Sequence, residues 1–311
     1  MGDIFNKKFI IGITCAAILY SIFVLITDLN SIIDQISNFN PIYIPLILSF
    51  IVVGWVVLFS RWLILLNHFE IKIPAKTNFL IYLAGFTFAI SPGKSGGFFK
   101  AILLKNKFGI SRTKSISVIL LERFYDLIGT IIVATCIVFF FGNEFLPVLY
   151  VGIISIALIF YLAFSRMGLI KIIGILAKIR FLQKFLSPLE NTHELIQQSK
   201  SIKIITISTL MTILHRVVEG IGIFFIISAF GFDFIGYFEI LTTYSASVIL
   251  GTLTLIPGGM GITEGSLAGL LSLYQIEFSI ALVIAIVIRL FTLWFAIGIG
   301  VIALKFSKSL K

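Results

Sequence analysis

Residues 77–105 read TNFLIYLAGFTFAISPGKSGGFFKAILLK. The stretch is apolar enough to enter a bilayer, yet Ser91-Pro92-Gly93-Lys94-Ser95-Gly96-Gly97 stands in its middle. Proline lacks an amide donor and glycine favours turns, so no single regular helix is expected to run through it. Whether the stretch crosses the membrane once, or enters and leaves by the same side, decides the topology of everything that follows. A second apolar stretch, 236–274, is broken in the same manner by IPGGMGI at 256–262.

Composition sets the frame. The 311 residues are 59% hydrophobic and 12% charged, with a mean hydropathy of +1.12. Soluble domains carry about 25% charged residues. That excludes a soluble enzyme, a disordered chain and a disulfide scaffold. Apolar runs near 20 residues recur without strict alternation, which points to helical spans rather than an outer-membrane barrel. The cysteines, Cys15 and Cys136, lie inside apolar runs and read as small packing residues. Lys7 and Lys8 precede a long run, 9–29, that exceeds a signal-peptide core and lacks a cleavage pattern, so it reads as a retained first span.

Full spans are expected at about 9–29, 42–66, 116–141, 146–164, 204–230 and 278–304, with both broken stretches re-entrant. The net charge of +10 is explained by the positive-inside rule rather than by nucleic acid. Of 24 Lys and Arg, all but Lys94, Arg123, Arg216 and Arg289 then fall on one side or at its interface, Arg61 and Lys100 among them. The opposite loops carry Asp34, Glu144, Asp233 and Glu277. This segregation places both termini in the cytoplasm of a multi-pass plasma-membrane protein. Reading either broken stretch alone as a crossing would destroy it. Residues 167–200, with Lys171, Lys178, Arg180 and Lys184, read as a basic interfacial helix or as a solvated connector.

The two breaks share Pro-Gly-x-x-Gly: Pro92, Gly93 and Gly96 against Pro257, Gly258 and Gly261. Each precedes a span with an intramembrane arginine, Arg123-Phe124-Tyr125 and Arg289-Leu290-Phe291, at spacings of 31 and 32 residues from the proline. The expected architecture is an all-α polytopic membrane protein in one domain: about six full spans plus two opposed re-entrant helical hairpins in inverted repeats, about 77–141 and 236–304. Broken helices in opposed repeats are a recurrent transporter plan.

Four cations, Lys94, Arg123, Arg216 and Arg289, and four acids, Glu122, Asp126, Glu219 and Glu264, fall within the membrane profile. A charge at the bilayer centre costs about 2.5–3.5 kcal/mol on insertion scales, so these groups must pair or face a hydrated cavity. Arg123–Asp126 and Arg216–Glu219 are i,i+3 pairs sharing a helix face. They serve either as mutual neutralisation or as a substrate site. Arg289 has Thr292 at the equivalent position and so looks to Glu264 or to a substrate anion. A half-helix starting after each glycine turn would offer amides and a positive dipole end to an anion, at Gly93, Gly96, Gly258, Gly259 and Gly261. Glu264 sits where it could cap the second such helix or act as a gate. Gly93-Lys94-Ser95 is not a nucleotide loop, since Phe88 stands where that motif needs glycine. His215 reads as a proton relay or as a packing residue. No metal spacing or nucleophile arrangement stands out, and no cofactor is expected.

LLERFYDLIG (120–129), PGGMGITEGSLAGLL (257–271) and the later Arg289 resemble the membrane region of the lysylphosphatidylglycerol synthase family, flippase-like integral membrane proteins. Glu122, Arg123 and Asp126 match its Glu-Arg-x-x-Asp pattern. Pro257, Gly258, Gly259, Gly261 and Glu264 match its Pro-Gly-Gly-x-Gly-x-x-Glu pattern. In the two-part synthases a cytosolic domain aminoacylates lipid and the membrane region is implicated in moving it. Here Lys311 follows closely on the last span, so a stand-alone member without aminoacyl transfer is expected.

The resemblance implies a translocator of an anionic, aminoacyl or polyprenyl-phosphate-linked lipid. Lys94, Arg123, Arg216 and Arg289 would draw the head, and Glu122, Asp126, Glu219 and Glu264 would act as counter-ions or coupling groups. Expected partners are the bilayer and its lipids, with a homo-oligomer or a lipid-modifying enzyme as further associations, and no nucleic acid. The rival readings are an exporter of small anions, a membrane transferase using Glu122 or Asp126 as base, and a partner subunit.

Overall fold

The computed structural model describes residues 36–91, 97–136, 139, 146–165, 167, 168, 170, 171, 174, 201–254 and 256–309. The expected first span, the Pro-Gly-Lys-Ser-Gly turn at 92–96 and most of the basic segment 167–200 lie outside the described residues.

The described elements are helices without strands. A 3-10 turn, Pro41–Tyr43, opens the first of them, with Asn40 Oδ1 accepting the Ile42 amide. It leads into α1 (Ile44–His68). Helix α2 (Ala75–Ala84) tightens into a 3-10 turn at Gly85–Phe88 and stops before the break. Beyond it come α3 (Phe99–Phe108), α4 (Arg112–Thr135) and α5 (Leu146–Phe164). Gly109, at φ 66, ends α3 in the left-handed region, and Ser111 caps α4 by accepting the Lys114 amide. The second half has α6 (Ile202–Ala229), α7 (Tyr237–Leu253), a turn at Pro257–Gly259, α8 (Ile262–Ser272), α9 (Phe278–Arg289) and α10 (Phe295–Ser309). A π turn, Leu290–Trp294, joins α9 to α10 in one long helix.

The chain is thus an all-α membrane protein. Three described helices, Pro41–His68, Ile202–Ala229 and Phe278–Ser307, are long and apolar enough to cross a bilayer. Helix α4 has the length, but its three charges between Glu122 and Asp126 lower its apolar character.

The second break falls where proline and glycine demanded it. In it, Gly258, Gly259 and Gly261 adopt φ of 64, 66 and 82, a region closed to most side chains. Gly259 also lies so close to Gly251 of α7 that a side chain there would meet backbone.

Packing between the halves is reciprocal. Helices α1 and α6 run against each other. Helix α2, the first arm of the first break, packs on α10, which follows the second break; α7, the first arm of the second break, packs on α4, which follows the first. Small residues permit the close approaches. A side chain at Gly54 would press on His215, one at Gly129 on Thr212, and one at Gly300 on the backbone of Thr87. A small apolar cluster of Ile90, Met260 and Ile297 brings the flanks of the two breaks together, apart from the main core.

Candidate functional site

Helix α4 supplies the charged stripe. Glu122, Asp126 and Thr130 recur every four residues and so share one face, with Arg123 beside them. From α1, Arg61 reaches this face. Its Nη1 lies 2.7 Å from Asp126 Oδ1 and donates to Thr212 Oγ1 at 2.5 Å, and its Nη2 lies 3.7 Å from Glu122 Oε1. From α3, Lys100 Nζ donates to Glu122 Oε2 at 2.5 Å. The same ammonium stands 4.0 Å above the Trp62 ring and 5.1 Å from that of Tyr82. A cation held between a carboxylate and aromatic faces is doubly compensated for leaving water.

Arg123 Nη1 lies 3.2 Å from Asp126 Oδ2, so the expected i,i+3 pair forms. Asp126 is therefore shared between two arginines. On α6 the second expected pair forms as well, with Arg216 Nη1 2.6 Å from Glu219 Oε2. Arg216 Nε also donates to Thr130 Oγ1 at 3.0 Å, which ties α6 to α4. His215 Nδ1 lies 3.2 Å from the Gly54 carbonyl oxygen and its Nε2 3.6 Å from Glu219, so its ring braces α6 on α1.

Arg289 finds its partner in Glu264, as one of the two sequence readings had it: Nε to Oε1 is 3.1 Å. Glu264 also caps α8, its Oε2 accepting the Gly261 amide at 2.8 Å. A second Arg289 donor meets the Gly258 carbonyl.

Arg123, Arg216 and Arg289, from three separate helices, line one cavity of about 190 Å³ together with Asp126, Glu219, Trp55, Tyr244 and Gly258. A smaller annex of about 70 Å³ shares the Arg123 and Asp126 wall and reaches Lys100 and Glu122. Glu264 lies below the cavity surface, 0% exposed. The amides of Gly259, Met260 and Gly261 bond to Ile256 O, Pro257 O and Glu264 Oε2, and Gly258, whose carbonyl accepts from Arg289, is the turn residue on the cavity wall. Lys94, Gly93 and Gly96 lie outside the described residues; Gly97 is placed, and a side chain there would stand 3.2 Å from Arg123 Nη2.

The sequence reading put Arg61 and Lys100 at the cytoplasmic interface. Both are buried within the protein, Arg61 completely, and belong to the charge network, a role the sequence reading did not give them. Their partners sit on other helices, so no local spacing betrays them. The π turn after Arg289 was likewise unannounced; it places Thr292 and Leu293 on the cavity wall.

The sequence pattern described as the lysylphosphatidylglycerol synthase TM region matches residues 9–300. The chain belongs to this family. Its similar proteins include a UPF0104 membrane protein of Methanocaldococcus jannaschii, 25% identical over 69% of this chain and 91% of the relative. Two UPF0104 membrane proteins of Methanothermobacter thermautotrophicus are 27% and 24% identical, over 73% and 96% of this chain and 73% and 94% of their own lengths. No solved structure matches the chain.

Proposed function

We propose that this family member moves a lipid with an anionic, aminoacyl or polyprenyl-phosphate head between the leaflets of the plasma membrane. The observation that carries the reading is the convergence of Arg123, Arg216 and Arg289 on one cavity inside an apolar bundle, each beside a carboxylate. A bulk water occupies about 30 Å³, so a cavity near 190 Å³ suits a head group while acyl or prenyl chains stay in the bilayer. Arginines draw phosphate or carboxylate; carboxylates hold the arginines when no head is bound and receive the amine of an aminoacyl head.

In this reading the broken stretches are re-entrant and opposed, and both termini are cytoplasmic. The reciprocal packing of α2 on α10 and α7 on α4 supports two related units that rock against each other. Transport then needs only a difference in head affinity between two states. A transferase using Glu122 or Asp126 as base is less well supported, since both carboxylates face cations at 2.5 and 2.7 Å.

The test is flipping of head-labelled anionic, aminoacyl and polyprenyl-phosphate lipids in liposomes holding the purified protein. Wild type flips one class, and folded Arg123→Ala and Arg289→Ala variants do not. Uptake of a soluble anion without lipid flipping would replace the reading with a small-anion exporter. Neither activity in folded protein would sink it.

A further inference from the structure

The three cavity arginines are not equivalently held. Arg289 is tied to Glu264 and to the Gly258 carbonyl, and so fastens the second turn to the α9 span. Arg216 is tied to Glu219 and Thr130 and fastens α6 to α4. Arg123 differs. Each carboxylate it approaches has another cation nearer to it. Asp126 stands 2.7 Å from Arg61 and 3.2 Å from Arg123; Glu122 stands 2.5 Å from Lys100 and 3.9 Å from Arg123. Among the described residues, Arg61, Lys100 and Arg123 set three positive charges against Glu122 and Asp126. Arg123 is also its most exposed cation, with 31% of its side chain open against 0% for Arg61 and 3% for Lys100.

We infer that Arg123 is the cation that takes the anionic group in the cavity, and that Arg61 is the positioning residue that makes it available. When Arg123 swings from Asp126 to an incoming phosphate or carboxylate, Asp126 keeps Arg61 and Glu122 keeps Lys100. No buried carboxylate loses its counter-charge, so the exchange avoids the penalty that normally accompanies breaking a buried pair. Gly97 leaves room for the movement, since even a methyl group there would press on the guanidinium. The excess of one positive charge matches a singly charged head such as a phosphodiester or a carboxylate. This assignment rests on the anion-binding cavity proposed above, and names which of its cations does the binding.

The test is equilibrium binding to wild type and variants in nanodiscs of zwitterionic lipid. The probes are inorganic phosphate and a short-chain phosphatidylglycerol, which separate a free anion from a lipid head as the source. Arg123→Gln weakens binding at least about tenfold, the size of one charge-assisted contact. Arg61→Gln also weakens it, by on the order of tenfold, because Asp126 then claims Arg123 for itself. The double variant Arg61→Gln/Asp126→Asn regains wild-type affinity within about threefold, as two coupled residues should in a double-mutant cycle. A merely structural Arg61 would not be rescued by losing its partner too. Asp126→Asn alone binds the anion more tightly than wild type, which keeps the test alive if Arg61→Gln does not fold. A double variant no better than Arg61→Gln, or an Arg123→Gln protein that binds like wild type, overturns the inference and leaves the cavity reading standing. A folded wild type that binds neither probe overturns both.

Discussion

The carboxylate of Glu264 joins Arg289 to the start of α8: Oε1 lies 3.1 Å from Arg289 Nε, and Oε2 accepts the Gly261 amide at 2.8 Å. One buried side chain thus fixes a turn, a helix end and the next span. The first half has a counterpart of opposite sense, where Lys100 beyond the first break pairs with Glu122 of α4 at 2.5 Å. In both halves a buried ion pair pins the arm after the break to the span that follows.

Removing one member of such a pair should therefore cost more than removing both. Glu264→Ala leaves the Arg289 guanidinium in place without this carboxylate, and breaking a buried pair costs about 3–5 kcal/mol. Glu264→Leu/Arg289→Met replaces both by apolar groups of similar bulk and should restore most of the lost thermal midpoint in detergent. An equally destabilised double variant would mean that the pair's shape, not its charge balance, holds the turn. The same double variant should not flip lipid, whatever its stability.

The second break makes a sharper prediction about space. A side chain at Gly251 would meet Thr263 Oγ1 at 1.9 Å and Thr263 Cβ at 3.2 Å. Gly251→Ala should destabilise by about 1–3 kcal/mol, as overpacking does. Thr263→Ala in the same chain removes the Oγ1 that makes the severe clash, while its Cβ and the Gly259 Cα stay at 3.2 and 3.4 Å, and should recover part of that loss. Gly265, one turn into α8, has nothing within 4 Å of its would-be Cβ. Gly265→Ala should stabilise by up to about 1 kcal/mol through helix propensity. Thermal unfolding of the four proteins measures all of this.

These contrasts show what could be read in the sequence. The second break was legible because proline and glycine act on their own backbone, and the structure interrupts the helices there at Pro257–Gly261; at the first, the described helix ends at Ala84 and its 3-10 turn at Phe88, ahead of Pro92. Arg123–Asp126 and Arg216–Glu219 were legible because three residues along a helix is a contact distance. Glu264 was legible as a cap and as a partner, and it is both. Arg61 was not: it lies near the end of an apolar run, where a basic residue ordinarily marks the interface, and only the packing of α1 on α4 and α6 turns it inward. Lys100 was missed for the same reason, since its position is set by Trp62, Tyr82 and Glu122 on other helices.

Gly97 offers a probe of the cavity that leaves every charge intact. A Cβ there stands 3.2 Å from Arg123 Nη2 and 3.7 Å from its Nε. Gly97→Ala should slow lipid flipping several-fold, and Gly97→Val should abolish it, while both proteins keep thermal midpoints close to wild type because the displaced atoms end a flexible side chain. Flipping by Gly97→Val at the wild-type rate would show that Arg123 need not move during transport.

Topology is the remaining expectation that a direct measurement decides. If both broken stretches are re-entrant, the residues flanking each must lie on one side, and the two pairs on opposite sides. Lys72 and Asn106 flank the first break; Asp233 and Glu277 flank the second; all four are exposed. With Cys15 and Cys136 replaced by alanine, a single cysteine at position 233 or 277 should react with an impermeant maleimide in intact cells. One at position 72 or 106 should react only after permeabilisation. The expected charge segregation calls for this arrangement, because a crossing at either break would carry the following Lys and Arg to the side expected for Asp233 and Glu277. Opposite labelling within either pair would make that stretch a broken but complete span, and with it the two halves would no longer be opposed.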